Sequence, residues 1–365
     1  MSERNLLERL EKLCNVDVDD VDTGLIASLP FKPHNLTSNQ QVICNTMLAD
    51  SNRELLTNMV DMYGSQGWEV VFDRMAVQLV KNNLEYITGR VLLQISPRHI
   101  NNKPAIIQHC RRLAKYFDDA NIPKARFAIK LPFTGAAACA AAELNSEGIR
   151  TLATSVFGLE QAIAASQSGC LFISPYYNEI AAYSNLSLWT NTPDPALEHP
   201  MSARVIHILE AYAKSYSETG NEQPIMVIAS HLNATEVMAM AELGCQHVTV
   251  TGGNMKALLQ TPDNLSPVTV PKPTHPYAHL ITPARLKCLS HVDSLSPAGW
   301  SDILASGSTD YLTNNGCALD EAIQADGFVA KGIKDAMDWF IEAEEKAKHA
   351  IEREISMRKE SASAQ

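Results

Sequence analysis

The sequence predicts an α/β fold, namely a single (β/α)8 barrel with added N-terminal and C-terminal helices. Eight short apolar or β-branched segments recur along the chain, most of them separated by segments of helical composition. Eight repeats of a strand and a helix favour a closed parallel barrel over an open sheet. No G-x-G-x-x-G follows the first strand, and its absence weakens the dinucleotide-binding alternative.

The predicted strands are short and largely apolar, as expected for parallel strands that are buried on both faces. The segments are Val16–Val21, His34–Leu36, Arg90–Gln94, Arg126–Leu131, Ile149–Ser155, Cys170–Ser174, Ile225–Ala229 and His247–Val250. Because the carboxyl ends of barrel strands surround the active site in such folds, the residues at those ends become the candidates for chemistry.

The helical segments between these strands have recognisable ends. Three of them stop within three residues of a glycine, which adopts positive φ without strain and commonly follows a helix. They are Thr134–Asn145, Leu159–Ser168 and Ala234–Leu243. Before the first strand, residues 2–14 place four leucines on one face and predict a short amphipathic helix.

The C-terminal third has a different composition from the barrel. Residues 261–295 are rich in proline and predict an extended loop after the eighth strand. Asp320–Met357 predicts a long charged helix with a break near Gly327 or Gly332, and Lys359–Gln365 a frayed tail. We therefore expect an N-terminal helix (1–15), a barrel (16–260), and a loop with a C-terminal helical extension that packs on the barrel (261–365).

The composition limits the classes of function. The 365 residues are 45% hydrophobic and 19% charged, as in globular proteins, with a net charge of −11. This charge argues against nucleic acid or an anionic membrane surface as the main partner. The charged N-terminus is not a secretory signal, and no apolar run reaches the roughly 18 residues of a membrane span. We expect a cytoplasmic protein that acts on small molecules; assembly into a homo-oligomer stays open.

The cysteines do not suggest a metal site or disulfide bonds. None of the eight is part of a C-x-x-C pair, and several lie within apolar runs such as Ala136–Ala142. We interpret them as reduced core thiols and expect no metal.

Polar residues at the strand ends are the candidate site residues. Lys130 stands out because it lies within the apolar segment RFAIKLPF, and burial of an ammonium group is costly. Burial lowers the pKa of a lysine, and the neutral amine can attack a carbonyl group to form a Schiff base. The alternative is a lysine that extends out of the strand end or pairs with a carboxylate. The other candidates are Asp22, Thr37, Asn39, Gln94, Ser96, Thr154, Ser155, Ser174, Tyr176, Ser230, His231, Thr251 and Asn254.

Three of these candidates also have simpler interpretations. Asp22 is suited to acid–base chemistry or to capping a turn in VDTG. Tyr176 either packs in the core or transfers a proton through its hydroxyl group. His231 has no Ser or Asp partner at the spacing of a catalytic triad, so we interpret it as a pocket wall or an exposed residue.

Five segments together resemble the transaldolase family, whose members are Schiff-base aldolases with a (β/α)8 barrel. They are VDTG (21–24), NLTSNQ (35–40), RFAIKL (126–131), GIRTLATSVFGLEQA (148–162) and FISPYYNEI (172–180). The resemblance covers roughly residues 15–260. It implies a class I aldolase that needs no metal or organic cofactor.

The resemblance also implies a role for individual residues. Lys130 matches the Schiff-base lysine, and Asp22 matches the aspartate that moves protons during carbon–carbon cleavage. Thr154 matches the threonine that positions the catalytic water. The residues implied to bind the donor substrate are Asn39, Thr37, Ser174 and Ser230.

Four positions depart from the transaldolase pattern. Gln94 stands where transaldolases have a glutamate, and Tyr176 where they have a phenylalanine. Both resemble the fructose-6-phosphate aldolase branch, where a glutamine and a tyrosine manage the water and the proton. Glu179 and Leu232 stand where the family has phosphate-binding arginines. We therefore expect an unphosphorylated or atypical acceptor, since a carboxylate repels a phosphate. Lys256 and the backbone of residues 251–253 are the remaining candidates for binding a phosphate group.

The expected reaction joins or cleaves a ketone donor, such as a dihydroxyacetone unit, and an aldehyde. Lys130 forms the iminium, and Asp22, Tyr176, Gln94 and Thr154 move the protons. Three alternatives stay open: an ordinary transaldolase of the pentose phosphate pathway, an enzyme of specialised metabolism that joins a ketone to a non-sugar aldehyde, and a non-catalytic barrel.

Overall fold

A computed structural model describes residues 4–269, 272–298, 300–301 and 303–363. Within them, eight parallel strands close into a barrel in which each strand pairs with the next and the last pairs with the first. This confirms the predicted (β/α)8 barrel. The strands are β1 (Asn15–Asp19), β2 (Leu36–Thr37), β3 (Val91–Gln94), β4 (Phe127–Pro132), β5 (Thr151–Val156), β6 (Phe172–Pro175), β7 (Ile225–Ile228) and β8 (His247–Thr251).

Helices surround the barrel and extend it at both ends. The α-helices are α1 (Leu6–Leu13), α2 (Thr23–Ala27), α3 (Gln40–Met47), α4 (Arg53–Tyr63), α5 (Trp68–Lys81), α6 (Lys103–Asp119), α7 (Gly135–Ser146), α8 (Leu159–Gln167), α9 (Pro195–Glu198), α10 (Pro200–Thr219), α11 (Ala234–Leu243), α12 (Gly252–Gln260), α13 (Thr313–Ala325) and α14 (Gly327–Ser363). Short 3-10 helices cover Asp50–Asn52, Gly64–Gln66, Leu84–Tyr86, Pro97–His99, Lys124–Arg126, Ile180–Tyr183, Leu186–Leu188 and Ala284–His291. None of the described helices is long and apolar enough to cross a membrane.

The alternation of side chains along the strands builds the barrel interior in layers. A buried apolar cluster fills one layer, with members on five consecutive strands: Leu92, Ala128, Leu152, Phe172 and Val227. Successive side chains of a strand point to opposite faces, so the residues two positions later share the interior face. Those residues include Gln94, Lys130, Thr154 and Ser174, all of them buried. The polar layer therefore lies one step nearer the carboxyl ends of the strands.

The long helix α14 lies over the carboxyl end of the barrel. It packs against α3, α4 and α5 and against β5 and the 3-10 helices that follow β3 and β6. The buried Glu344 on α14 accepts hydrogen bonds from Ser96 Oγ at 2.9 Å and Arg98 Nε at 2.8 Å. A side chain at Gly332 would lie 2.9 Å from the Phe157 ring, so α14 needs a glycine there to approach β5. One side of the barrel mouth is thus closed by the C-terminal helix.

Some predicted segments differ in detail. The predicted break near Gly327 is confirmed, since the helix is interrupted at Asp326, whose carboxylate caps α14 at Phe328 N and Val329 N; Gly332, the other predicted position, lies inside the helix. The helix continues to Ser363 instead of fraying from Lys359, and residues 364–365 lie outside the described part. The proline-rich segment contains the 3-10 helix at Ala284–His291, and its residues 270–271 are also outside it. Five of the eight free cysteines are buried, whereas Cys288 and Cys317 are exposed and Cys139 is half-buried.

Candidate active site

Lys130 lies inside the barrel at the centre of the polar layer. It is 5% exposed on β4, and its Nζ donates hydrogen bonds to Thr37 Oγ1 at 2.9 Å and to the carbonyl oxygen of Ser38 at 3.0 Å. Burial lowers the pKa of Lys130 to about 8, and the opposing effect of the nearby Asp19 does not restore it. Near physiological pH, Lys130 is therefore a neutral amine in a substantial fraction of the molecules, as nucleophilic attack requires.

This lowered pKa predicts a pH dependence of ketone capture. The neutral amine is the deprotonated form, so the initial rate of adduct formation on Lys130 should rise with pH and level off above about 8. The measurement is the rate of borohydride-trapped adduct with dihydroxyacetone at a series of pH values. A rise that continues to pH 10, as for an ordinary exposed lysine, would contradict the effect of burial on this amine.

Asp19 is the acidic group that the structure places near Lys130. It is the last residue of β1, and it lies opposite Thr37 of β2 in the register. Burial raises the pKa of Asp19 to about 6, although the charge of Lys130 acts to lower it. Its Oδ1 is buried and has no hydrogen-bond partner among the described residues. Asp19 can thus carry or release a proton near neutral pH.

The structure places Asp22 at a helix cap, away from the barrel interior that holds Lys130 and Asp19. Asp22 is exposed, and its carboxylate caps α2 by accepting hydrogen bonds from Gly24 N at 2.8 Å and Leu25 N at 3.3 Å. The predicted first strand extended to Val21, but β1 ends at Asp19. The alternation in NVDVD could have identified Asp19, because Asp17 and Asp19 lie on the face opposite to that of the two valines.

Thr154 and Tyr176 form a second polar pair in the barrel. The hydroxyl of Thr154 donates to Tyr176 Oη at 3.2 Å, and both residues are buried. Burial raises the pKa of Tyr176 to about 12, against the effect of hydrogen bonds from Thr154 and Ser155. Tyr176 is therefore protonated at neutral pH and able to donate a hydrogen bond or a proton.

Gln94 adds an unpaired acceptor to the same layer. It lies opposite Lys130 in the register of β3 and β4. Its Nε2 donates to Gln40 Oε1, and Gln40 Nε2 donates in turn to the carbonyl oxygen of Ile95 at 2.7 Å. Gln94 Oε1 is buried without a hydrogen-bond partner among the described residues. Such an atom favours a water or a substrate hydroxyl as its donor. The supporting role of Gln40 was not foreseen from the sequence.

The predicted donor-binding residues lie at the carboxyl ends of β2, β6 and β7. Thr37 contacts Lys130 directly, whereas Asn39 caps α3 through a hydrogen bond from Val42 N at 3.1 Å. Ser174 is buried on β6. Ser230 adopts a φ of 69° and donates from Oγ to the carbonyl oxygen of Asn178 at 2.8 Å. The structure thus brings Thr37 to Lys130 and Thr154 to Tyr176, whereas Asn39 and Ser230 use their side chains in the local hydrogen bonds just described.

Glu179 and Leu232 are the residues that stand where the resemblance places phosphate-binding arginines. The Glu179 carboxylate contacts Lys331 Nζ of α14, and Lys331 also donates to Asp335 at 2.7 Å. The backbone N–H of Leu232 donates to Glu236 at 2.7 Å. Lys331 lies 152 residues from Glu179, so no local pattern could have indicated this ion pair. Two carboxylates share one ammonium group here, an arrangement that does not favour a phosphate.

The other two candidates for holding a phosphate lie on α12 and at its start. Lys256 is exposed on α12, and Thr251 uses its hydroxyl to cap that helix at Asn254 N. Across the described part of the chain, no group of three or more His, Cys, Asp or Glu side chains could hold a metal ion.

Comparisons with known proteins found a matching family model, curated relatives and solved structures. The model of the family described as Transaldolase/Fructose-6-phosphate aldolase matches residues 16–286. A protein named Transaldolase from Edwardsiella ictaluri is 28% identical over 267 residues, which cover 71% of this chain and 82% of that protein. Another from Shewanella loihica is 26% identical over 252 residues, covering 67% and 76%. Among solved structures, an IMP dehydrogenase/GMP reductase-like protein from Corynebacterium glutamicum matches at 12% identity and a TM-score of 0.39, covering 68% of this chain and 69% of that one.

Proposed function

Because this chain belongs to the transaldolase/fructose-6-phosphate aldolase family, we propose that it makes or breaks a carbon–carbon bond through a Schiff base on Lys130. Its relatives imply an enzyme of the aldolase or transferase type. The observation that carries the proposal is the buried Lys130, whose pKa is lowered to about 8 beside a buried carboxyl group whose pKa is raised to about 6. Two opposed shifts of this kind suit one group to nucleophilic attack and the other to proton transfer.

The first half of the reaction forms the iminium. Neutral Lys130 Nζ attacks the ketone carbon. The hydroxyl of the resulting carbinolamine leaves as water, whose two protons come from the attacking nitrogen, through the Asp19 carboxylate, and from solvent. The iminium then acts as the electron sink. Asp19 replaces Asp22 in this role, because Asp19 shares the barrel interior with Lys130 whereas Asp22 is exposed.

The second half breaks the bond between C3 and C4. The Asp19 carboxylate accepts the proton of the C4 hydroxyl, the bonding electrons move into the iminium to give an enamine, and an aldehyde leaves. Tyr176, with Thr154 and Gln94, positions a water that returns a proton to C3. Hydrolysis of the new iminium releases the ketone and frees the lysine. In the synthetic direction the enamine attacks an acceptor aldehyde instead.

The proposed donor is a small ketone such as a dihydroxyacetone unit, and the acceptor is unphosphorylated. Thr37, which contacts the lysine, is proposed to bind donor hydroxyls together with Asn39, Ser174 and Ser230 at the ends of β2, β6 and β7. The acidic surroundings of Glu179 support the absence of a phosphate from the acceptor. No metal or organic cofactor takes part in this scheme, because the iminium withdraws the electrons.

Borohydride trapping followed by intact-mass and peptide analysis tests the proposal. Dihydroxyacetone and hydroxyacetone should each leave one reduced adduct, and the modified peptide should contain Lys130. Fructose 6-phosphate should give an adduct only at much higher concentration, since the phosphate meets carboxylates.

The other outcomes separate the alternatives. Productive transfer from fructose 6-phosphate at low concentration would identify an ordinary transaldolase. Adducts from unphosphorylated ketones combined with non-sugar aldehydes as acceptors would favour an enzyme of specialised metabolism. No adduct from any ketone over the whole pH range would reject the Schiff-base proposal and favour a non-catalytic barrel.

A further inference from the structure

Aromatic side chains connect the barrel interior to the C-terminal helix on one side of the barrel. The Phe157 ring at the end of β5 meets Tyr176 edge to face at 5.6 Å between centroids, and it meets Phe328 of α14 in the same way at 5.9 Å. Tyr183, on the 3-10 helix after β6, stacks on Trp339 of α14 at 6.3 Å with 13° between the ring planes. Aromatic rings therefore extend from the proposed proton-transfer tyrosine to the C-terminal helix.

Tyr183 links this aromatic surface to the reacting groups. Its hydroxyl donates to the carbonyl oxygen of His231 at 3.3 Å and lies within hydrogen-bonding reach of Ser230. Burial raises the pKa of the hydroxyl, and the nearby Asp19 adds to this effect. The residue as a whole is nevertheless 39% exposed. The hydroxyl thus points toward the site while part of the ring stays at the surface.

The loop that carries Tyr183 is both apolar and held in place. It exposes Leu186 by 64% and Leu188 by 43%. At its end, Trp189 Nε1 donates to the buried Glu236 at 2.6 Å. Exposed apolar side chains that gather beside a substrate opening are typical of a binding surface. Because this loop is already ordered before a ligand binds, binding costs the protein less conformational entropy.

The charges at this wall disfavour a phosphorylated or strongly anionic acceptor. Lys331, the cation that α14 directs to the loop after β6, is paired with both Glu179 and Asp335. Asp19 adds a further carboxyl group on the barrel side. These carboxylates would not repel an uncharged ligand with an apolar body, and such a ligand does not need Lys331, which is already paired.

We infer that Tyr183 and Trp339 form the wall of the acceptor site, and that the acceptor is an aldehyde with an aromatic or extended apolar substituent. The inference rests on the proposed function and adds the substrate class to it. The aldehyde carbon would face the enamine on Lys130 while its substituent lies against the two rings. A favourable contact between aromatic rings should increase the affinity for an aromatic substituent by about 2- to 12-fold over that for a substituent that buries the same area without such a contact.

The test compares acceptors in the addition of dihydroxyacetone. The ratio of kcat/KM for benzaldehyde to kcat/KM for glyceraldehyde is measured for the starting protein and for Trp339→Ala and Trp339→Phe. The starting protein should prefer benzaldehyde and hexanal over glyceraldehyde and glyceraldehyde 3-phosphate. Trp339→Ala should lower the ratio about 3- to 10-fold, mainly through KM, and Trp339→Phe should restore most of it. Lys346→Ala, on an exposed side chain of the same helix, should leave the ratio as it is.

The results distinguish this inference from the proposed function. Lys130 trapping with dihydroxyacetone is repeated on every variant, since an intact adduct shows that the barrel is folded and the donor site works. A normal adduct together with a preference for glyceraldehyde or its phosphate would overturn the inference alone. A ratio that Trp339→Ala does not change would also overturn it. Failure of the starting protein to form any adduct would overturn the proposed function, and the inference with it.

Discussion

Lys130→Met should abolish the borohydride-stable ketone adduct and lower aldol turnover by at least about 10³-fold, because it removes the nucleophile while keeping an apolar chain of similar length. The barrel should remain folded. Lys130 is buried with a lowered pKa, so an uncharged replacement removes a desolvated amine, and the hydrogen bonds lost are those to Thr37 and Ser38. The measurements are the mass of the trapped protein, the initial aldol rate and the thermal unfolding midpoint.

Lys124→Met provides the matched control for this experiment. Lys124 lies on the 3-10 helix just before β4, and it is exposed with a single hydrogen bond to the carbonyl oxygen of Glu147. This variant should keep both the adduct and the rate. If Lys130→Met still traps a ketone on another lysine and turns it over, Lys130 is not the nucleophile.

The strands and the lysine were predictable because their signals are local. Each strand is a short apolar segment, and a lysine in the middle of one, as in RFAIKL, is costly enough to stand out from its neighbours. The structure places all eight strands within a few residues of their predicted bounds. Because interior side chains of neighbouring barrel strands lie in common layers, the predicted strands also indicate that Gln94, Thr154 and Ser174 lie at the level of Lys130.

The location of the acidic group was harder to predict, because the end of a strand is a less certain feature than the strand itself. Asp17, Asp19, Asp20 and Asp22 lie close together in the sequence, and a strand extended to Val21 points to the last of them. Only the alternation of valine and aspartate distinguishes the interior side chains from the helix cap.

The groups that close the barrel mouth could not be predicted from local patterns. The Lys331–Glu179 ion pair and the Tyr183–Trp339 stack join residues more than 150 positions apart. They depend on where α14 lies, which is decided by contacts such as that of Gly332 with Phe157. The resemblance therefore identified Glu179 and Leu232 at the arginine positions, but it could not show that Lys331 of α14 pairs with Glu179.

The placement of Asp19 leads to the second large effect. Asp19→Asn should lower aldol turnover by about 10²- to 10⁴-fold, the usual contribution of a positioned acid or base. An asparagine cannot accept the proton of the C4 hydroxyl, although it keeps the shape of the side chain. A ketone adduct should still form on Lys130, at a reduced rate, because the amine remains. The measurements are the aldol rate and the amount of trapped protein at saturating dihydroxyacetone.

The pH profile of the same variant distinguishes a catalytic effect from a general disturbance. The Asp19 carboxylate raises the pKa of Lys130 against the effect of burial, so its removal should lower that pKa further below about 8. The pH at which adduct formation becomes half-maximal should therefore fall in Asp19→Asn, the opposite of what a loosened, more solvated barrel would give.

Asp22→Asn is the control that separates the two aspartates. Asparagine caps a helix about as well as aspartate does, so this variant should keep its stability and its aldol rate. A large loss of rate in Asp22→Asn with an unaffected Asp19→Asn would restore Asp22 as the proton-transfer group and would require the barrel mouth to rearrange when substrate binds. The reverse result would place the acid–base chemistry at the end of β1, where the same burial that lowers the pKa of Lys130 raises that of its partner.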